Sequence, residues 1–426
     1  MVKKEYPKIG ESLYHAELEN GLHIYVDVKS SFSKSYAFFA TNYGGMDMRF
    51  QLKGEWHETP AGVAHFLEHK MFDTEDGNAL QDLAANGASP NAFTSTALTG
   101  YYFESTEKFE ENLKILLSFV SVPYFTKESV DKEQGIIGQE IRMVEDDPEN
   151  QVFYGMLEAL YAHNPVRVSI AGTVESIAEI TADTLYACHA AFYNPGNMVL
   201  CVAGNVDPER VCEIAREILP KEGITDIPRD YGAPEPDTAN RAETVREMAV
   251  STPIFQLGWK ADPAPLGEEY LRRQLMGELA CEALFGTSTT LYADLYAKGL
   301  VNKNFSYGYE AYPGCAMLTV GGESKDPWAV RDAIAAERER ILAGGIDDGL
   351  WERLKKAAYG GRVRALNSFE NICVNLAQLH FAGAEFFRFP ERFESITKAD
   401  VEGCIRDWMT VERTGLSVVK PKEGEA

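Results

Sequence analysis

The sequence predicts an α+β protein built from two similar domains, each a largely antiparallel sheet packed with helices. Three observations lead there. A chain of 426 residues exceeds one ordinary core and suits two domains of about 200 residues. Strand-like alternation near the start gives way to helical periodicity, and the same order returns after a proline-rich break. Stretches of the first half also have echoes in the second. Ile180-Thr181-Ala182-Asp183 leads through Cys188 to an apolar run at Met198–Val202, and Ile396-Thr397-Lys398-Ala399-Asp400 leads through Cys404 to Gly415–Val419. Asn150 and Asn371, each opening a helical pattern, form a second pair. The separations are 216 residues for Ile180 and Ile396 and 221 for Asn150 and Asn371, close enough for one repeated unit.

Taken in order, Leu13–Leu18 and Leu22–Val28 alternate around Asn20-Gly21, a hairpin signal. Ser35–Thr41 is a third strand. A polar loop through Lys53-Gly54-Glu55 leads to Ala61-Gly62 and a helix, and a second helix runs from near Asp76-Gly77 to a stop at Asn86-Gly87. A strand containing Pro90 follows. Proline cannot donate to a ladder, so this strand belongs on an exposed sheet edge. Leu98–Ser105 is β-rich, and helical patterns cover 108–121, 127–145, 150–162, 182–193 and 207–218. The prolines and polar residues of 220–243 mark a linker, giving domains at 1–219 and 244–426. The second half repeats strands near 244–260 and 304–322, with helices near 267–285, 327–343, 349–366 and 369–382.

Composition narrows the function. Apolar residues make up 45% and charged residues 25%, as in soluble globular proteins. The 65 acidic against 41 basic residues give a net charge of −24, which repels phosphate backbones and argues against nucleic acid. Seven cysteines with no C-x-x-C pair fit buried thiols in a reducing compartment. The basic start, Met1–Lys8, lacks a following apolar run, and no 18-residue apolar stretch occurs. A cytoplasmic protein without a membrane span is expected.

The chemistry centres on His65-Phe66-Leu67-Glu68-His69. On a helix, His65 and His69 lie one above the other at i and i+4, with Glu68 on the same side. Two neutral imidazoles so placed can grip Zn²⁺, and the adjacent carboxylate can reach a water on the metal. The pattern is the inverted zincin motif H-x-x-E-H. A catalytic zinc typically takes a third protein ligand. The 127–145 helix offers Glu133 and Glu140, two turns apart on one face.

His65–His69, the later Asn91-Ala92-Phe93-Thr94-Ser95, and Glu133 with Glu140 about 70 residues downstream together resemble the pitrilysin/insulinase family of zinc peptidases, which includes the mitochondrial processing peptidase. The likeness spans the chain and is greatest to half-length bacterial members. It implies two homologous domains forming half of a clam-shell, with Zn²⁺ held by His65, His69 and Glu140. It implies an endopeptidase for short or unfolded peptides, in which a metal-bound water attacks with Glu68 as general base. Glu133 corresponds to a supporting acid. Asn91, Ala92 and Phe93 correspond to the edge strand on which an extended peptide is laid, a mode that relies on backbone hydrogen bonds. The other class of function within reach is a non-catalytic assembly or peptide-binding subunit.

The second half lacks the metal motif. Leu279–Phe285 carries no histidine where the motif helix is expected, and Gly361 falls near the equivalent of Glu140. The family's substrate-holding arginine and tyrosine correspond to Tyr296 and Asn302. Loss of such a transition-state donor typically costs about 10²–10³-fold in rate. The family closes its chamber from four such domains, so a second subunit is implied. A sister chain carrying the missing pair is placed ahead of a homodimer, with the Tyr296 phenol as the self-contained alternative.

Overall fold

The computed structural model describes residues 1–224 and 226–422. Thr225 of the expected linker, and residues 423–426 of the expected second domain, lie outside the described residues. The first sheet holds β1 (Val2–Tyr6), β2 (Glu11–Glu17), β3 (His23–Val28), β4 (Ser35–Thr41), β5 (Ser89–Thr94), β6 (Thr99–Ser105) and β7 (Met198–Gly204), in the order β1-β2-β3-β7-β4-β6-β5. The second holds β8 (Glu243–Met248), β9 (Ile254–Ala261), β10 (Ser306–Tyr312), β11 (Cys315–Glu323) and β12 (Thr414–Pro421), in the order β8-β12-β9-β11-β10.

The two sheets have one plan. In the second, the strands run first, fifth, second, fourth, third across the sheet. The same order relates β3, β7, β4, β6 and β5 in the first. Each has one parallel pair, β3 with β7 and β8 with β12, and antiparallel pairing elsewhere. The repeated unit is therefore a repeated topology. β4 and β7 are buried along their whole length, which is why their sequences read as continuous apolar runs.

The compact units do not follow the expected domain boundaries. Unit 1 comprises Met1–Ile141, Val168–Tyr231 and Val363–Arg388, and unit 2 comprises Arg142–Arg167, Gly232–Arg362 and Phe389–Ala426. The cause is a reciprocal exchange of one helix. The first sequence half lends unit 2 the helix Pro148–Leu160, which lies on β8, β9 and β12. Its approach is close: a Cβ on Gly155 would sit 2.4 Å from Ser417 Oγ. Thr244 Oγ1 donates to the Gly155 carbonyl at 3.0 Å, and Arg246 reaches the Gln151 carbonyl and Glu158. The second sequence half lends unit 1 the helix Phe369–Phe381, whose Phe369, Ile372, Cys373, Leu376, Ala377 and Leu379 are buried against β4 and β7. These are the helices opened by Asn150 and Asn371 in the sequence echo.

Several elements go beyond the sequence reading. β1 pairs antiparallel with β2. The polar loop is a hairpin, Arg49–Leu52 with Glu55–Glu58. A short helix, Thr290–Ala297, carries Tyr296. All seven cysteines are free and buried, and no described helix is long and apolar enough to cross a membrane.

Candidate metal centre

The site is assembled in unit 1 from two helices and the sheet edge. Helix α1 (Val63–Met71) starts after Gly62, whose φ of 94° is left-handed. A Cβ there would lie 2.6 Å from the Ala171 carbonyl oxygen, so only glycine lets the helix begin at this point. Val63, Ala64, Phe66, Leu67 and Met71 bury the core face. That leaves His65 and His69 on the other side, with ring centroids 4.6 Å apart. Helix α2 (Lys127–Asp146) sinks Val130, Ile137 and Ile141 into the same core, placing Glu133 and Glu140 along one border of its buried face.

His65, His69 and Glu140 each bring one donor atom within 4.8 Å of the others, the one such His/Cys/Asp/Glu cluster among the described residues. His65 Nε2 lies 3.5 Å from Glu140 Oε1, and His69 Nε2 lies 3.6 Å from Glu140 Oε2. Ligands about 2.1 Å from a tetrahedral zinc stand about 3.4 Å apart, so the donor set fits that ion in type and spacing. His69 Nδ1 faces Glu133 Oε1 at 3.2 Å, which leaves its Nε2 directed to the cluster. His65 Nδ1 is buried with no hydrogen-bond partner among the described residues.

Glu68 is buried, and its Oε2 accepts from Thr94 Oγ1 at 3.0 Å. Burial pushes its carboxyl above the usual range, against the pull of His65 and His69. The His65 hydrogen bond holds Glu140 below that range despite partial burial. Burial lowers the His69 imidazole, but the Glu133 hydrogen bond and the charges of Glu68, Glu140 and Glu133 outweigh it and leave it raised. Burial would raise Glu133, yet His69 and Lys70 bring it below its ordinary value. Carboxylates that stay charged beside imidazoles are suited to a cation.

Asn91, Ala92 and Phe93 lie on β5, the last strand of the sheet, whose described ladder partner is β6 alone. Thr94, at the end of this strand, touches Glu68, so the open edge runs up to the cluster. Tyr296 lies in unit 2, 55% exposed and stacked on Tyr292 at 5.8 Å. Asn302 donates to Glu323 at 2.7 Å and accepts from the Asn304 amide, so its side chain is occupied locally. In the second-half helix Glu268–Phe285, Leu279, Ala280, Cys281, Ala283, Leu284 and Phe285 are buried core. The sequence reading quotes Thr94 only as part of the edge-strand motif and gives neither it nor Lys70 a role. Thr94 could have been found as the threonine following the edge-strand motif; Lys70 gave no signal, since lysine is ordinarily exposed.

An H-x-x-E-H helix facing a glutamate from a later helix, on the first of two like-folded units, defines an inverted-motif metallopeptidase fold. Residues 53–174 match the family described as Insulinase (Peptidase family M16), and residues 179–358 match the Peptidase M16 inactive domain. The chain is 40% identical over 425 residues to a Bacillus subtilis (strain 168) protein named "Uncharacterized zinc protease YmfH", covering 98% of this chain and 99% of that one. It belongs to peptidase family M16. Among solved structures, an M16-like peptidase from Alicyclobacillus acidocaldarius superposes with a TM-score of 0.93 at 32% identity, over 99% of this chain and 100% of the other. The periplasmic protease PqqL from Escherichia coli shares the fold, with a TM-score of 0.75 at 17% identity. There 99% of this chain covers 48% of the longer one.

Proposed function

We propose that this chain is the zinc-carrying subunit of an endopeptidase acting on short or unfolded peptides. The observation that carries the reading is the convergence of His65, His69 and Glu140 beside a buried Glu68. His65, His69 and Glu140 would hold the ion. When bound, zinc supplies Lewis acidity, polarising a peptide carbonyl and bringing the pKa of a water towards about 7. Glu68 takes the proton of the attacking water and passes it to the departing amine. The Thr94 hydroxyl fixes one carboxylate oxygen of Glu68 and leaves the other for this transfer. Glu133 holds the His69 ring in the tautomer that points Nε2 at the cluster. The open side of β5 pairs an extended peptide by backbone hydrogen bonds, which demand little of its side chains.

A second subunit completes the chamber. PqqL carries about twice this chain's length in one polypeptide, which supports pairing of two half-length chains. The sister-chain heterodimer remains ahead of the homodimer, because it would provide the substrate-holding pair replaced here by Tyr296 and Asn302. Peptide-library digestion of the purified protein, with and without a chelator, tests the reading. Zinc bound near one equivalent and chelator-sensitive cleavage are expected. A zinc-loaded protein that cleaves nothing, alone or with a sister chain, would favour a peptide-binding role.

A further inference from the structure

Lys70 follows the second histidine of the motif and reaches the same Glu133 carboxylate. The residue is 1% exposed, and its side chain is among the largest fully buried ones of the protein. Burying an ammonium is costly unless it is paired and hydrogen-bonded. Its two partners here differ in kind. One is Asp73, three residues on, at the rim. The other is Glu133 Oε2, at 3.6 Å from Nζ, on the neighbouring helix. The other oxygen of that carboxylate, Oε1, faces His69 Nδ1 at 3.2 Å.

The connected groups are thus Asp73, Lys70, Glu133 and His69, leading to the cluster. A carboxylate with a single partner can rotate about its last torsion, which is broad. One pinned at both oxygens, by a cation on one side and a ring N–H on the other, is confined to one orientation. Packing alone does not account for Lys70. A methionine would fill the same unbranched volume without an ammonium to desolvate. The buried charge is understandable if its partner is the carboxylate that orients a metal ligand.

We infer that Lys70 is a positioning residue for the metal centre, anchoring the Glu133 carboxylate so that His69 presents Nε2 to the ion. This rests on the zinc reading of His65, His69 and Glu140. It predicts that Lys70 and Glu133 act as one device, so that removing either has nearly the effect of removing both.

The test is a double-mutant cycle on the full chain: wild type, Lys70→Met, Glu133→Gln and the double variant. Zinc affinity is read by competition with a chromophoric chelator, and melting is recorded for each. Loss of a group that orients a metal ligand typically costs about 10–100-fold in affinity. Both single variants should fall in that range, and the double variant should bind no more weakly than Glu133→Gln. Wild-type affinity in Lys70→Met, or losses that multiply in the double variant, would overturn the inference. If Lys70→Met does not fold, the cycle is run with Lys70→Gln. In addition, ¹⁵N correlation of the metal-free wild type, recorded at a pH high enough for the His69 ring to be neutral, should show its single proton on Nδ1; a neutral ring protonated on Nε2 overturns the anchoring. A wild type that binds no zinc overturns the zinc reading instead, so the two failures are distinguishable.

Discussion

Replacing His380 by asparagine is expected to remove about 2 kcal/mol of the destabilisation of unit 1 between pH 7 and pH 5. His380 lies in the last turn of the exchanged helix Phe369–Phe381 and packs on His23 and Tyr25 of the first sheet. Its ring centroid is 4.6 Å from that of His23, its Nδ1 lies 3.2 Å from the Tyr25 hydroxyl, and His15 stacks on Tyr25. The charges around these rings are Lys4, Glu17 and Glu385. Burial first, then His23 and His15, pushes the His380 imidazole down to about 3. In the unfolded chain it titrates at about 6.5. The unfolded state therefore takes up a proton as pH falls through 6.5 that the folded state refuses until about 3, so the helix contributes fully at neutral pH and is weakened by acid. At about 1.4 kcal/mol per unit, going from pH 7 to pH 5 costs about 2 kcal/mol through this one side chain. His189, lowered to about 4 by burial, acts with the same sign, and Asp27, raised to about 6 by burial, acts with the opposite one. Both are present in wild type and variant and cancel in the comparison. Urea unfolding of the two proteins at pH 7 and pH 5 is the assay. The wild type should lose about 2 kcal/mol more than His380→Asn; equal losses would refute the reasoning.

Three further outcomes follow from the same structure. Gly62→Ala should lower stability by about 1–3 kcal/mol, from the left-handed backbone and the contact with the Ala171 carbonyl, and unchanged melting would contradict it. Peptide and unfolded substrates should be cleaved well ahead of folded ones, because a stable domain must spend about 5–15 kcal/mol to offer an extended segment to β5; equal rates on a stable domain and its unfolded form would rule this out. The isolated zinc-loaded chain should be weakly active and gain activity with a sister chain. Full activity alone, abolished by Tyr296→Phe, would instead assign the oxyanion contact to the phenol.

What could be read in the sequence, and what could not, divides by range. The H-x-x-E-H spacing is local, so placing His65, His69 and Glu68 together needs only the 3.6-residue period. Pro90 marks an edge because its nitrogen cannot donate, and β5 is indeed the last strand. The helix phase sets Glu133 and Glu140 on one face without saying which joins the donor cluster and which backs the His69 ring; that depends on packing between helices. β1 escaped notice because Val2-Lys3-Lys4-Glu5-Tyr6 has no apolar face, its place being set by pairing with β2. The exchanged helices were visible as paired echoes, but nothing local says that each lies on the other half's sheet. Lys70 was hidden for the opposite reason: an ordinary surface residue type occupies a buried position, and Glu133, one of its two partners, is 63 residues away.

The most direct measurement is zinc content and peptide cleavage determined together on Glu68→Gln, assayed under the conditions in which the wild type cleaves. The amide keeps the size of the carboxylate and an oxygen for Thr94, and Glu68 is not among the three donor residues. Zinc should therefore stay near one equivalent while cleavage falls by about 10²–10⁴-fold, the typical contribution of a general base. Cleavage at the wild-type rate in a zinc-loaded Glu68→Gln protein would contradict the central claim.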